Sequence, residues 1–491
     1  MQKRNLLAAI ISGLLLGLSM PRPGIWPLAW LGLVPMLIAV RGASIRSATL
    51  YGLVAGAVYY GIIAHWVSIF GYLPWALVVL CEAALFAIFA AMASCIAGKS
   101  RAYLTIPAAW TAIQWARSLG TLGFTWGSFA HTQASCMPVL QLVSIAGPWL
   151  IDFAVCLVNV AIAEAILNVG RKRFFATITA AVVTLGAWGV GFATLKTAPE
   201  YHPATKVAII QGNVAQDVVP DLNYLADTYI TFSKMSRRAV SSGVGLVIWP
   251  ETTLPTKITT SDWGGILSDL AKETRATYII GGYAPSSEPS SPLFCNGAHF
   301  YGPDGKALGI YNKARLVPYG EYVPLRDYLP FLSRYGVRKQ DVCPGTSHSV
   351  IKTALGKAGV SICFESLFPQ IARIETKHGA NVLVIITNDA WFERSPAAVQ
   401  HLMMSRLRAV ENRRFVIRGA ATGISAIIDP YGRTQAELGI FKRGIVSGQV
   451  EPLTGLSPYT RAGDWLAYIC VVIAIAAICG RLARSKFKLK Q

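Results

Sequence analysis

Before about Thr197, and again after Trp465, the chain runs in long apolar stretches almost free of charge. Backbone N–H and C=O groups inside a bilayer must be satisfied within their own segment, so such stretches are read as membrane-spanning helices. Apolar segments at 6–20, 25–40, 48–70, 73–97, 103–119, 139–169, 174–195 and 465–480 give eight candidate spans. The first, second and last are short beside the ~20 residues a span needs. Lys3 and Arg4 give the first the look of a signal peptide, but no small-x-small cleavage site follows and Pro21 interrupts, so an uncleaved helix is expected. Only 14% of the chain is charged, against about 25% in soluble domains, and soluble-type composition is confined to the stretch between the apolar blocks. The expected organisation is a membrane domain at 1–198, a globular domain at 199–463, and an eighth span with a basic tail at 464–491.

Eight spans put both termini on one side. That side would carry Lys3, Arg4, Arg41, Arg46, Lys99, Arg101, Arg171, Lys172, Arg173, Arg481, Arg484, Lys486, Lys488 and Lys490, against Arg22 and Arg117 opposite. By the positive-inside rule the termini are cytoplasmic and the globular domain lies outside, in the periplasm of a two-membrane bacterium. The net charge of +20 invites a nucleic-acid reading, but +9 of it lies in 1–198 and +4 in 464–491. The remaining +7 forms no basic run interleaved with aromatics, so no nucleic-acid partner is expected. Glu82, Asp152, Glu164 and His65 fall inside the spans, as a proton or ion path or as locally packed polar groups. The pairs Gly13/Gly17 and Gly52/Gly56 suit close helix packing. The outer loop 120–138, rich in Gly, aromatics and hydroxyls, either floors a site in the globular domain or contacts lipid, or else forms an interfacial aromatic belt.

In the globular segment, strands near 206–211, 246–251, 277–282, 296–301, 307–311, 359–363 and 381–387, with others in 415–428, alternate with helices near 222–240, 264–274, 365–378 and 397–411. Pro303 to Gly305 reads as a hairpin turn. The pattern predicts a layered α/β domain. Three strand exits carry reactive groups. The run GVSICFESLFP at 359–369 leads from a strand to Cys363 and then to helix-start residues, so the thiol is expected to face the positive end of a helix, which favours thiolate. The bland alternative is a small core cysteine. LVIWPETTLP at 246–255 leaves Glu251 at the C-terminal end of its strand, and YNKARLVPYGEYVP at 311–324 places Lys313 after another and Glu321 in the following loop. A carboxylate base, a cysteine nucleophile and an ammonium for the oxyanion make a workable acyl-transfer set with no metal or cofactor.

These residues resemble the Glu-Lys-Cys triad of the nitrilase superfamily. More narrowly, the chain is similar to that superfamily's integral membrane branch, the apolipoprotein N-acyltransferases. The likeness is carried by QGN at 211–213, WPE at 249–251, the pattern from Lys313 to Pro324, Cys-aromatic-Glu at 363–365, NDAWF at 388–392 and TGLSPYTRAGDW at 454–465. It implies an αββα sandwich, a phospholipid acyl donor, a thioester on Cys363, and a diacylglyceryl-cysteine apolipoprotein as acceptor, in the bacterial inner membrane. It makes Glu251, Lys313 and Cys363 catalytic, with Glu321, Glu365, Phe364, Asn388 and Trp391 in support. Glu321 and Glu365 would orient Lys313 and tune local charge, with a purely structural salt bridge as the alternative for Glu321. The sequence departs from the family in three places: QDVVPD at 216–221 lacks a Lys-Trp pair, Glu393 replaces a common glycine, and Phe364 stands where tyrosine is frequent. A membrane-tethered amidase acting on a soluble amide, and a non-catalytic transporter or scaffold, are the alternatives.

The loop 323–337 sets Tyr328, Phe331 and Leu332 among Arg326, Arg334 and Arg338. It is either a mobile arm that touches an anionic bilayer or a loop folded on the core. Trp391 and Phe392 would form a second lip, on the resemblance. Cys295, Cys343 and Cys363 are the cysteines of the outer domain. With Cys363 free, the other two remain to pair in an oxidising compartment, but that bridge is not expected, because partners cannot be deduced from sequence.

Overall fold

The structure, a computed structural model, describes residues 2–98, 101–202, 205–214, 221–286, 293–336, 340–353 and 355–488, with the backbone alone at 332, 335 and 481–488. Lys99, Arg338, Lys490 and the departure at 216–220 therefore lie outside the described residues.

Among the described residues three helices are long and apolar enough to cross a membrane: Tyr72–Ile96, Pro148–Leu167 and Gly170–Lys196. The other apolar segments fall short in length or apolarity, and two expected spans are broken. Segment 25–40 becomes a 3₁₀ turn Trp26–Leu28 followed by helices Ala29–Gly32 and Val34–Val40. Pro27 and Pro35 lack the N–H that a continuous ladder needs there. Segment 139–169 is interrupted at Gly147, whose φ of +68° ends one turn before Pro148 starts the next helix. Segment 48–70 is helical only over Ile45–Ile63 and then tightens into a 3₁₀ turn, His65–Phe70.

The long helices divide their faces sharply. On Tyr72–Ile96, Ala83, Phe86, Ala87 and Ala90 are buried while Leu73, Leu77 and Leu80 are exposed. On Gly170–Lys196, Val182, Leu185 and Phe192 are exposed as well. Large aliphatic side chains left outward in this number suit hydrocarbon, not water. The ionisable groups within the helices find local partners. Glu82 pairs with Arg117 at 2.8 Å and Glu164 with Arg41 at 3.0 Å. Asp152 accepts from Ser128 Oγ at 2.9 Å and the Phe129 N–H at 2.8 Å. Each pair satisfies itself within the bundle, which favours packing over an ion path.

Among its described residues the globular domain has twelve strands: β1 Thr205–Gln211, β2 Leu246–Lys257, β3 Thr277–Pro285, β4 Phe294–Tyr301, β5 Ala307–Asn312, β6 Ile351–Thr353, β7 Gly356–Ile362, β8 Val382–Thr387, β9 Val416–Ala420, β10 Ser425–Ile428, β11 Thr434–Leu438 and β12 Gly444–Val450. They form two six-stranded sheets, ordered β12-β1-β2-β3-β4-β5 and β11-β10-β9-β8-β7-β6. β1, β2 and β3 are parallel, as are β7, β8 and β9. Alternate side chains face opposite ways. Val207, Ile209, Ile248, Ile279, Val360, Ile362, Val384 and Ile417 therefore meet between the sheets. Ala208, Ile210, Trp249 and Ile280 face outward onto helices Leu222–Val240 and Trp263–Thr274. Leu383, Ile385 and Val416 do the same beneath Pro369–Lys377 and Ala397–Asn412. Burial on both faces explains why these strands read as unbroken apolar runs, and the layers are the αββα sandwich that the resemblance implied.

One hydrophobic cluster runs from the membrane helices into this domain through Leu367, Phe368, Ile371, Phe392, Met404 and Leu407. The 120–138 loop is the seam. Trp126 and Phe129 are buried, Thr125 Oγ1 donates to the Leu367 carbonyl at 2.9 Å, and Trp126 Nε1 donates to Gln400. The loop is thus a floor beneath the globular domain and not an exposed aromatic belt. In the bundle, Gly56 lets Ile45–Ile63 approach Tyr72–Ile96: a Cβ on it would lie 2.7 Å from Ala83 Cα. Gly56→Leu is expected to destabilise the protein by about 1–3 kcal/mol through overpacking, read as a lower thermal midpoint in detergent. An unchanged midpoint would contradict the packing described.

Candidate active site

Glu251 does not end its strand, as the sequence suggested, because β2 continues to Lys257. It sits in an irregularity. The parallel register with β3 holds from Leu246 to Trp249 and resumes at Leu254, with Thr252 at φ +51° between. Gly281 of β3 makes the room, since a Cβ there would lie 2.7 Å from Glu251 Cα. Lys313 follows β5 directly, and Cys363 follows β7 at φ +52°. A non-glycine residue held in the left-handed region is strained, and such strain gathers at functional turns. From the first sheet come Glu251 and Lys313, and from the second Cys363.

Lys313 is 1% exposed. Its ammonium lies 3.3 Å from Glu251 Oε1 and 2.9 Å from the Glu321 carboxylate. Burial works against its charge, but Glu321, Glu251 and Cys363 hold its pKa above the ordinary lysine value. Burial likewise opposes the charge of Glu321, yet Lys313 and the Val317 N–H, 2.9 Å away, hold that carboxyl below its usual range. The other Glu251 oxygen accepts the Asn388 N–H at 2.8 Å. Cys363 behaves otherwise than its place at a turn suggested. Helix Pro369–Lys377 starts later, and Cys363 opens only a short 3₁₀ turn, Cys363–Leu367. Burial, then the Glu251 carboxylate, push the thiol pKa up; Lys313 and a hydrogen bond with Thr387 pull the other way without prevailing. The resting group is a thiol next to a carboxylate, so it needs a base to react.

Glu365 is buried and does not touch the Lys313 ammonium. It accepts the N–H groups of Ile362 at 2.7 Å, Ala314 at 2.7 Å and Arg315 at 3.0 Å, and the Tyr311 hydroxyl at 3.0 Å. One carboxylate thereby ties the Lys313 loop to the Cys363 turn. Burial pushes it up to about 7, against the pull of those backbone donors. Phe364 packs edge-on against Phe368, ring centroids 5.1 Å apart. Trp391 is 47% exposed, 6.3 Å from the Phe70 ring, whereas Phe392 is buried beside Trp66. In the 323–337 loop Tyr328 is 82% and Phe331 54% exposed. Both point away from the core, while the side chain of Leu332 lies outside the described residues.

The bridge that was not expected is present: Cys295 and Cys343 form a disulfide, their Cα atoms 4.7 Å apart. The Cys343 N–H donates to the Phe294 carbonyl at 2.9 Å, a long-range pairing no sequence pattern revealed. Sequence reasoning also missed Asn296, whose Nδ2 donates to Glu251 Oε1 at 2.7 Å and to Glu321 Oε1 at 3.1 Å. A second group lies behind Cys363. His401 Nε2 is 2.7 Å from Ser366 Oγ, its Nδ1 is 3.0 Å from Asp389, and Arg418 donates to Asp389 at 2.7 Å. Ser366 Oγ donates to the Cys363 carbonyl at 2.8 Å. Polar residues at inward positions of apolar elements were the available signal for both groups.

Residues 206–456 match the family described as carbon-nitrogen hydrolase, the class to which two packed sheets, a glutamate at a strand irregularity and a lysine and a cysteine just past strand ends lead. Residues 12–161 match a second family, the apolipoprotein N-acyltransferase N-terminal domain. Proteins named apolipoprotein N-acyltransferase from Geobacter metallireducens (33% identical, covering 98% of this chain and 95% of that one) and Pseudomonas aeruginosa (31% identical, 97% and 96%) are similar throughout. A solved nitrilase-superfamily protein of Saccharomyces cerevisiae is 21% identical over 52% of this chain and 93% of its own, with a TM-score of 0.41. The chain belongs to the apolipoprotein N-acyltransferase family.

A thiol held protonated by its surroundings should alkylate slowly. Iodoacetamide labelling of Cys363, followed by peptide mass, is expected to be slow at neutral pH and to accelerate into the alkaline range, since only thiolate reacts. Rapid labelling already at pH 6 would contradict the geometry.

Proposed function

We propose that this acyltransferase takes a fatty acyl chain from a phospholipid, holds it as a thioester on Cys363, and passes it to the α-amine of a diacylglyceryl-cysteine at an apolipoprotein N-terminus. The observation that carries this reading is the buried cluster of Glu251, Lys313 and Glu321 at the Cys363 turn, in a domain joined to membrane helices by one hydrophobic cluster. In the first half-reaction Glu251 takes the thiol proton and the thiolate attacks the ester carbonyl. Lys313 and nearby backbone N–H groups stabilise the oxyanion. The lysophospholipid leaves with the proton from Glu251. In the second, the amine attacks the thioester, its proton passes to Glu251, and the Cys363 thiol is restored. Glu321 fixes the Lys313 ammonium, Glu365 fixes the turn and loop, and Asn388 orients Glu251. Phe364 and Trp391 belong to the apolar rim.

The same reading gives eight spans, both termini in the cytoplasm, and residues 199–463 on the periplasmic face of the inner membrane, between a membrane part at 1–198 and a last span at 464–491. The charge bias supports this orientation. Exposed Tyr328 and Phe331, with Trp391 and Phe70, support substrate entry from the bilayer rather than from water. A soluble amide would need no such apolar rim.

Incubation with phosphatidylethanolamine in detergent, followed by intact mass, is expected to show a hydroxylamine-labile acyl adduct on the wild type and none on Cys363→Ala. A well-folded wild type with neither adduct nor released fatty acid would exclude the lipid donor. Phe331→Glu is expected to slow adduct formation about tenfold by weakening insertion while leaving the thermal midpoint unchanged. An unaltered rate would place that side chain outside lipid capture.

A further inference from the structure

Asn296 lies next to Cys295 on β4, where its amide meets both carboxylates of the site. It is buried, and it is turned so that Nδ2, the donor, faces Glu251 at 2.7 Å and Glu321 at 3.1 Å. Its buried Oδ1 has no hydrogen-bond partner among the described residues. Only this orientation suits two acceptors. The groups facing Glu251 are then the Lys313 ammonium, the Cys363 thiol, Asn296 and the Asn388 N–H, with Glu321 across Lys313. Two carboxylates crowd one ammonium, and the amide offers each an additional donor. Like charges this close otherwise drive one carboxylate to take a proton.

The bridge frames the same residues. The Lys313 N–H donates to the Asn296 carbonyl and the Gly345 N–H to the Lys313 carbonyl, both at 2.8 Å. Next to Cys343, the Val342 N–H donates to the Glu321 carbonyl at 2.8 Å. The disulfide closes an excursion with a sequence separation of 48, which includes Lys313, Glu321 and the exposed loop bearing Tyr328 and Phe331. The covalent tie fixes the base of the stretch that carries Lys313 and Glu321, beside the backbone bonds that hold both residues.

We propose that Asn296 is a positioning residue for acyl transfer, its amide linking Glu251 to Glu321 around the Lys313 ammonium, and that the Cys295–Cys343 disulfide holds it in that place. The inference rests on Glu251, Lys313 and Cys363 being the catalytic residues. Activity then depends on an oxidised bridge, although neither of its sulfurs takes part in the chemistry.

The test is the initial rate of acyl-adduct formation on Cys363 from phosphatidylethanolamine micelles, by intact mass, across pH and lipid concentration. Asn296→Ala is expected to be slowed about ten- to a hundredfold, the scale of lost hydrogen bonds to charged groups, with half-saturation by lipid unchanged. The acid limb of its pH profile moves to higher pH, because Glu321, on losing a donor to its ionised form, takes up a proton sooner. Asn296→Ser, which keeps one donor, recovers part of the rate. Cys295→Ser/Cys343→Ser is expected to run about tenfold slow, as for a displaced catalytic group. Wild type treated with tris(2-carboxyethyl)phosphine falls to the same rate: the bridge becomes two thiols and the phosphine its oxide, with oxygen from water. The double variant no longer responds to the phosphine. A wild-type rate and unshifted profile in Asn296→Ala would overturn the role of the amide. An unchanged rate in reduced wild type, with mass showing the bridge open, would overturn that of the disulfide and needs no variant to fold. Absence of an adduct on wild type would overturn the catalytic reading, and this inference with it.

Discussion

A lysine ammonium buried in protein stays charged only if carboxylates stand beside it, because desolvation alone costs several kcal/mol. Lys313 meets that condition with Glu251 and Glu321, and most of the site follows from it. Two carboxylates near one cation must be kept apart and ionised, which calls for Asn296 and the N–H groups of Asn388 and Val317. Cys363, partly buried beside them, then meets a carboxylate that raises its pKa and that the proposed mechanism uses to receive its proton. Under the proposed mechanism such a thiol is latent until substrate arrives, which suits a thioester intermediate that must not be spent on water.

The membrane part is more than an anchor. Trp126 and Thr125 bond to the helical layer behind Cys363, and Arg315, close after Lys313, donates to the carbonyls of Ser118 and Gly120. Arg315 also lies 3.3 Å over the Phe368 ring. The loop that carries Lys313 is therefore braced from the membrane side, while the disulfide braces it from the other. Between these supports the 325–336 stretch stands out with exposed aromatics. The arrangement combines a rigid reacting centre with an exposed apolar rim, as chemistry on a lipid requires.

Much of this was legible in the sequence. Strands buried on both faces read as apolar runs, the amphipathic helix Leu222–Val240 fell at its expected limits, and Lys313 and Cys363 follow β5 and β7 as expected. What was not legible depended on distance in the chain. Nothing local shows that Cys295 meets Cys343, that Asn296 faces two carboxylates, or that Glu365 binds the Lys313 loop rather than its ammonium. β2 outran its expected end because its interruption at Glu251 is an irregularity with Gly281 alongside, not a terminus. The thiolate expected at Cys363 came from a local rule about helix ends, and burial beside Glu251 outweighs that rule. Apolar segments 25–40 and 139–169 looked continuous by composition, but prolines and Gly147 divide them.

The most direct test of the central claim is transfer from isolated acyl-enzyme. Protein carrying an isotopically labelled acyl group on Cys363 is freed of donor lipid and mixed with a diacylglyceryl-cysteine peptide. The account predicts that the label leaves Cys363 and appears, mole for mole, as an amide on the peptide N-terminus. Label that stays on the cysteine, or that is released only as free fatty acid while the peptide remains unmodified, would contradict it.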